Sequence, residues 1–250
     1  FGDATVSRLV VLDVAGAQPV VAAELGPAVA GTTAEWEPGT AVAGERGVFV
    51  ISGPCDDCDV ERLPVLRLHD LRAFPAVETG TFALPAPPTD LALVDDWLVV
   101  ADDDGLTVLD VRTPLLPVVV GALALPWARA VTLRGSTVLV LAQGGLQAVD
   151  LTDPRAPAAI GTPRPVSGSD LVVDGRSAWL VERAWRYPAA GGLVRQFDLD
   201  DPSVAPAGFD VPDLRAVAAV GGRLIVAQGR HGLQTLAVVD GRDRYLESRW

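Results

Sequence analysis

The stretch Gly105–Gly121 reads GLTVLDVRTPLLPVVVG, and forty residues later Gly145–Gly161 reads GLQAVDLTDPRAPAAIG, with no gap between the two registers. Looser copies stand at Arg8–Gly26 (RLVVLDVAGAQPVVAAELG), Val65–Gly80 (VLRLHDLRAFPAVETG) and Leu193–Gly208 (LVRQFDLDDPSVAPAG). A repeat of about 40 residues built from short β-branched runs points to an all-β fold, a β-propeller of four-stranded blades.

Working outward, each full unit holds four apolar segments. In one they are Ala128–Leu133, Ser136–Ala142, Leu146–Leu151 and Pro157–Gly161. Segments this short, separated by Gly, Asp or Pro, suit strands and not globular helices. Between first and second segments lie Asp95-Asp96, Arg134-Gly135, Asp174-Gly175 and Gly221-Gly222, residues that tolerate the positive φ of tight hairpins. The chain reads as one propeller domain over residues 1–250. A partial blade lies at 8–26, and full blades lie at about 33–82, 85–123, 126–163, 165–211 and 213–250. Five complete units and a half unit predict about six blades, or seven if more sequence belongs to the ring. Because the first unit starts at its middle, the chain reads as a portion of a longer protein.

The third segment ends in a recurring aspartate, at Asp13, Asp70, Asp110, Asp150 and Asp198, with a proline following in each copy. A carboxylate there accepts turn N–H groups, and proline fixes φ in the next turn. A once-per-blade carboxylate is a structural turn device; catalysis has no use for one in every blade.

The phrases DVRTPLLPVVVG and DLTDPRAPAAIG resemble the D-x-S-D-P-x-x-P-x-x-x-G phrase of LVIVD-repeat proteins, a family of secreted or surface-associated prokaryotic β-propellers. Asp110 and Asp150 match its first aspartate, Asp153-Pro154 its Asp-Pro pair, Pro157 its second proline and Gly161 its glycine. Thr152 replaces its serine, and Thr113 replaces the second aspartate of the neighbouring copy. The resemblance implies a propeller in an extracellular, periplasmic or cell-surface setting, and it implies no catalytic residues.

Composition narrows the partners. The net charge is −12, with 24 Asp, 8 Glu, 20 Arg and no Lys. Phosphate backbones and anionic membranes call for basic surfaces, so a nucleic-acid partner is not expected. No apolar stretch is long enough to serve as a transmembrane helix. The Asp-over-Glu bias itself favours turns over helices.

Two connections between second and third segments are expanded, on the face that propellers commonly use for binding. Ser52–Leu63, SGPCDDCDVERL, carries Cys55 and Cys58 with Asp56, Asp57 and Asp59. Two thiols at this spacing supply half of a zinc or iron–sulfur site, which the two histidines, His69 and His231, do not readily complete. No helix start is indicated to support redox chemistry there. The exported setting that the resemblance implies favours a Cys55–Cys58 disulfide, with reduced thiols as the alternative. Asp56, Asp57 and Asp59, together with Asp102-Asp103-Asp104 in the next blade, are suited to calcium. DDDG at 102–105 also reads simply as a hairpin turn, and no other cofactor is indicated.

The second expanded connection is Glu182–Gly192, ERAWRYPAAGG. Arg183, Trp185, Arg186 and Tyr187 are interface-anchor types, and Arg230 and His231 fall on the same predicted face. These six are the candidate interaction residues. A protein contact, a sugar-stacking site and a loop folded back over its own blade all fit them. Trp97 and Trp179 lie in second strands, where packing explains them, while Trp127 precedes an entering strand.

Three functions compete: a non-catalytic scaffold whose partner is another envelope or extracellular protein, a glycan- or metal-binding module, and a hydrolase or lyase at the channel mouth. With two histidines, few glutamates and no nucleophile elbow, phosphate loop or zincin motif, the sequence favours the scaffold.

Overall fold

Runs of β-branched and leucine residues, each cut short by Gly, Asp or Pro, leave the backbone little choice but short strands paired through tight turns. In a computed structural model, the described backbone covers residues 9–13, 20–25, 38–44, 47–52, 65–70, 77–84, 86–113, 116–184, 191–201, 207–228, 232–239 and 243–249. All regular structure among these residues is strand. The chain divides into two units, Phe1–Trp127 with Pro154–Ala156 and Ala128–Asp153 with Pro157–Trp250.

The first unit begins with β1 (Leu9–Asp13) and β2 (Val20–Leu25), an antiparallel two-stranded sheet. A four-stranded sheet follows: β3 (Pro38–Gly44), β4 (Gly47–Ser52), β5 (Val65–Asp70) and β6 (Val77–Ala83). The next comprises β7 (Pro88–Val94), β8 (Trp97–Asp102), β9 (Gly105–Asp110) and β10 (Val118–Ala124). Each sheet is an antiparallel meander in chain order, and β3 lies beside β7.

The second unit repeats the pattern three times. Its sheets are β11 (Ala130–Arg134), β12 (Thr137–Ala142), β13 (Gly145–Asp150), β14 (Ala158–Arg164); then β15 (Asp170–Asp174), β16 (Ser177–Ala184), β17 (Gly191–Asp198), β18 (Ala207–Pro212); then β19 (Leu214–Val220), β20 (Arg223–Gln228), β21 (Gly232–Val239), β22 (Asp243–Arg249). First strands of successive sheets again neighbour one another, β11 beside β15 and β15 beside β19. Four-stranded meanders with adjacent first strands make an all-β, propeller-like arrangement.

The expected count of about six blades, or seven, is corrected by the sheet topology. β1 and β2 pair only with each other among the described residues, so the half repeat builds a hairpin and no blade. Four consecutive meanders, those from β7 to β22, contain the described cores. The physical reason lies in the sequence itself. A blade needs an inner pair of strands to pack on its neighbours, and residues 8–26 carry only two segments.

Packing follows the two-residue period of a strand. On β16, Ala178 and Leu180 join a cluster with Ala130, Leu139, Leu141, Leu146, Leu171 and Phe197. Trp179 and Val181 join Val194, Val211, Leu214, Val217, Leu224, Val226 and Leu236 on the other side. Both faces of this sheet are therefore covered, which is why the run SAWLV is apolar throughout instead of alternating. Each such leucine contributes about 1.5–3 kcal/mol on burial. Burial fades outward: β8 and β9 are almost wholly buried, whereas β10 and β14 are largely exposed. Val118, Val119 and Ile160 are exposed because they sit on those last strands.

Two glycines hold the meander's third and fourth strands in close register. A Cβ on Gly105 would lie 2.1 Å from the Leu123 carbonyl oxygen, and one on Gly145 would lie 2.0 Å from that of Arg164. Their φ values, 149° and 112°, are also outside the range side chains favour. This explains why both strongest repeat copies open on glycine.

Candidate functional site

The connections from second to third strand, which the sequence singles out, take three forms. Between β12 and β13 the ladder closes at Ala142↔Gly145, leaving only Gln143 and Gly144 in the turn. Between β8 and β9 the turn is acidic. Asp102 is 4% exposed, and its Oδ1 accepts the N–H groups of Asp104 and Gly105, both at 2.8 Å. That carboxylate oxygen closes the turn from within, while Asp103 and Asp104 stand exposed.

Against this acidic turn lies Trp127, in the segment leaving β10. Its N–H donates to the Asp103 carbonyl at 2.9 Å, and the Leu125 N–H donates to that of Asp104 at 3.2 Å. Trp127 has φ of 60° and is 51% exposed. A bulky residue in the left-handed region carries strain of about 1–3 kcal/mol. The sequence reading placed Trp127 before an entering strand. The backbone strain and the Asp103 partner were not readable, because Pro126 marks a turn without fixing the φ of the residue after it and no glycine stands at the left-handed position.

Between β16 and β17 the ladder runs further. Glu182↔Leu193 is followed by Arg183↔Gly192 and Ala184↔Gly191. The expanded connection is thus in part a hairpin that prolongs the sheet, with residues 185–190 between its two strands. Glu182 pairs with Arg195 across the two strands, Oε1 to Nη1 at 2.9 Å. A shallow depression of about 430 Å³ opens beside them, lined by Glu182, Gly191, Gly192, Leu193, Asp210, Val211 and Pro212. Glycine and aliphatic residues make up most of this lining, with Glu182 and Asp210 its two acidic members. Arg183 is on β16; Trp185, Arg186, Tyr187, Arg230 and His231 lie outside the described residues. So do Cys55, Cys58, Asp56, Asp57 and Asp59.

The entering strands share a device that the sequence reading missed. Thr89 Oγ1 donates to the Ala101 carbonyl at 3.1 Å and Asp90 Oδ1 accepts the Leu91 N–H at 2.9 Å. In the second unit Ser169 Oγ and Asp170 Oδ1 do the same with Val181 and Leu171, at 2.9 and 2.8 Å. The signal was present as Thr-Asp-Leu and Ser-Asp-Leu eighty residues apart.

The recurring third-strand aspartates form turns at the other end of the sheets. Asp150 Oδ1 accepts the Thr152 N–H at 2.8 Å and its hydroxyl at 2.6 Å. The Thr152 hydroxyl and amide hold the Asp150 carboxyl below the usual carboxylate range. Asp110 Oδ1 accepts the Arg112 N–H at 3.0 Å, and the guanidinium of Arg112 bridges both carboxylate oxygens. That guanidinium holds the Asp110 carboxyl low and leans over the Trp97 ring at 5.9 Å. Asp13 and Asp70 close β1 and β5.

Among the described residues, no group of three or more His, Cys, Asp or Glu side chains is arranged to hold a metal ion. No helix there is long and apolar enough to cross a membrane.

Solved structures share the fold. A chain of a nidogen/laminin complex superposes with a TM-score of 0.57 at 10% identity, covering 83% of this chain and 79% of that one. The computationally designed protein Ika8 gives 0.54 at 12%, covering 85% and 61%. Hsv2 of Kluyveromyces lactis gives 0.51 at 14%, covering 81% and 62%. At such identities the likeness shows the fold alone. No protein-family model matches the chain, and no curated protein does.

Proposed function

We propose that this chain is a non-catalytic scaffold that binds another protein through the tip of the β16–β17 hairpin, in the cell envelope or extracellular space. The observation that carries this reading is the prolonged ladder, Arg183↔Gly192 and Ala184↔Gly191. In the repeat forty residues earlier, two residues suffice to turn the chain. Here the sheet is extended by paired backbone, and the chain spends Trp-Arg-Tyr at the end of that extension. Aromatic residues and arginine supply most of the anchoring energy in protein interfaces, and a rigid hairpin lowers the entropy lost on docking. Arg230 and His231 belong to the corresponding connection between β20 and β21 and are assigned to the same contact. The LVIVD-like phrases support the extracellular or envelope setting, and a Cys55–Cys58 disulfide fits it.

The test is a quantitative pull-down from envelope and secreted fractions of the native source. The intact protein is compared with a variant in which residues 185–190 are replaced by a two-residue Asn-Gly turn. A stoichiometric partner retained by the first and lost by the second is expected, with the melting temperature preserved. A partner retained equally by both would overturn the assignment to this hairpin.

A further inference from the structure

Each four-stranded sheet ends on an outer strand whose far edge pairs with no other strand among the described residues. Such an edge offers backbone N–H and C=O groups to another chain, and charged residues are a usual guard against that. Four of the five outer strands carry the guard: β6 holds Glu78, β14 Arg164, β18 Asp210, and β22 Asp243 with Arg244. β10 holds none, and no charged residue stands between Arg112 and Arg129. The same strand collects exposed apolar side chains. Val118 and Val119 are 57% and 48% exposed, and Leu116, just ahead of them, is 72% exposed. The register shift at Val119/Gly121 does not set β10 apart, since the pairings of β6, β14 and β22 contain shifts of their own.

We propose that β10 pairs edge to edge, antiparallel, with β10 of a second copy of this chain, joining two four-stranded sheets into one of eight strands. This goes beyond the scaffold reading and stands without it. Charge selects the occupant. A copy brings its own net charge of −12, so two copies repel wherever their acidic surfaces meet. The stretch between Arg112 and Arg129 is where they touch without setting charge against charge. A charged segment of another protein finds no counter-charge along this edge, whereas a second β10 brings an uncharged strand of equal length. Side-chain size points the same way. Antiparallel pairing sets the three valines at 118–120 of one copy against Ala122-Leu123-Ala124 of the other, and the two-fold axis makes that match twice. One pair of short strands is smaller than a standard interface, so self-association in the range of about 10 μM to 1 mM is expected.

The test is sedimentation velocity of the full chain across that concentration range, with amide hydrogen exchange measured at both ends of it. A reversible monomer–dimer equilibrium is expected, with added protection of the β10 amides in the dimer. Val119→Arg is expected to raise the dissociation constant at least about 10-fold, because it puts a charge on each of two facing edges. Val118→Arg is the second variant, should the first fail to fold. Ile160→Arg, on the exposed strand β14, is expected to leave the dimer intact. Added salt is expected to strengthen the dimer by screening two acidic copies from each other. A monomer up to about 1 mM, a dimer indifferent to both valine variants, or equal disruption by Ile160→Arg would overturn the proposal. So would a dimer that salt dissolves, or one whose β10 amides gain no protection.

Discussion

Arg176 donates from Nε and Nη2 to Oδ2 of Asp198, at 3.1 and 2.6 Å, while Asp198 Oδ1 takes the N–H groups of Asp200 and Asp201 at 2.9 and 3.0 Å. One carboxylate thus ties the first hairpin of its sheet to the turn after the third strand. The backbone makes the same link, since the Leu199 N–H donates to the Arg176 carbonyl at 2.8 Å. Val111 with Asp96 and Leu151 with Ser136 repeat that link in two other sheets.

These turns predict an acid dependence. The Arg176 guanidinium holds the Asp198 carboxyl below its ordinary range, and Arg112 and Thr152 do so for Asp110 and Asp150. A carboxyl whose folded pKa is depressed stabilises the fold fully above its unfolded value, near 3.9. That contribution is lost as pH falls through the folded value. Asp198→Asn is therefore expected to lower the melting temperature at pH 7, with the difference from the parent shrinking below about pH 3. A difference of equal size at pH 7 and pH 2.5 would show that the carboxylate's charge plays no part.

The two close-approach glycines predict an unequal pair of effects. Gly145→Ala drives a methyl into the Arg164 carbonyl and is expected to cost roughly 2–4 kcal/mol. Gly175→Ala, at φ of 58° with open space around it, is expected to cost about 1–2 kcal/mol from backbone strain alone. Denaturant midpoints at unchanged m-value measure both; equal costs would contradict the steric account.

Burial predicts a contrast along the meander. Leu180→Ala removes a fully buried side chain between two sheets and is expected to cost about 2–5 kcal/mol. Ile160→Ala on the exposed strand β14 is expected to change stability by no more than about 0.5 kcal/mol. Chemical denaturation of the two variants decides whether the last strands contribute packing.

Trp127 predicts that relieving its left-handed backbone does not cost stability. Asparagine tolerates the left-handed region, so Trp127→Asn is expected to hold or raise stability by up to about 1 kcal/mol. A loss of more than 1 kcal/mol in thermal or chemical unfolding would mean that the indole serves the fold.

Much of the meander was legible in the sequence because strands, turns and repeat share one cause. Asp95, Gly135, Gly175 and Gly221 all adopt positive φ in two-residue hairpins at the anticipated positions. The buried second strands, among them the run at Ser177–Val181 within β16, were readable from their apolar character. Blade number was not, since counting repeats does not say whether a half unit finds neighbours to complete a sheet. At the site, the length of Glu182–Gly192 was visible, but its division into ladder and tip depends on hydrogen bonds that glycine-rich sequence conceals. Asp90 and Asp170 escaped notice because a carboxylate bonding the next amide leaves no spacing signature, only a dipeptide repeated at long range.

The pinch at Gly105 and Gly145 also determines where variation is tolerated. By clamping the end of the fourth strand against the start of the third, each glycine insulates the sheet's register from whatever precedes it in the turn. An acidic turn and a Gln-Gly turn are accepted immediately before otherwise equivalent glycines. The unit behaves as a cassette with a replaceable tip. Turn chemistry can then differ from one copy to the next by the exchange of a few residues, without disturbing the strands that carry them.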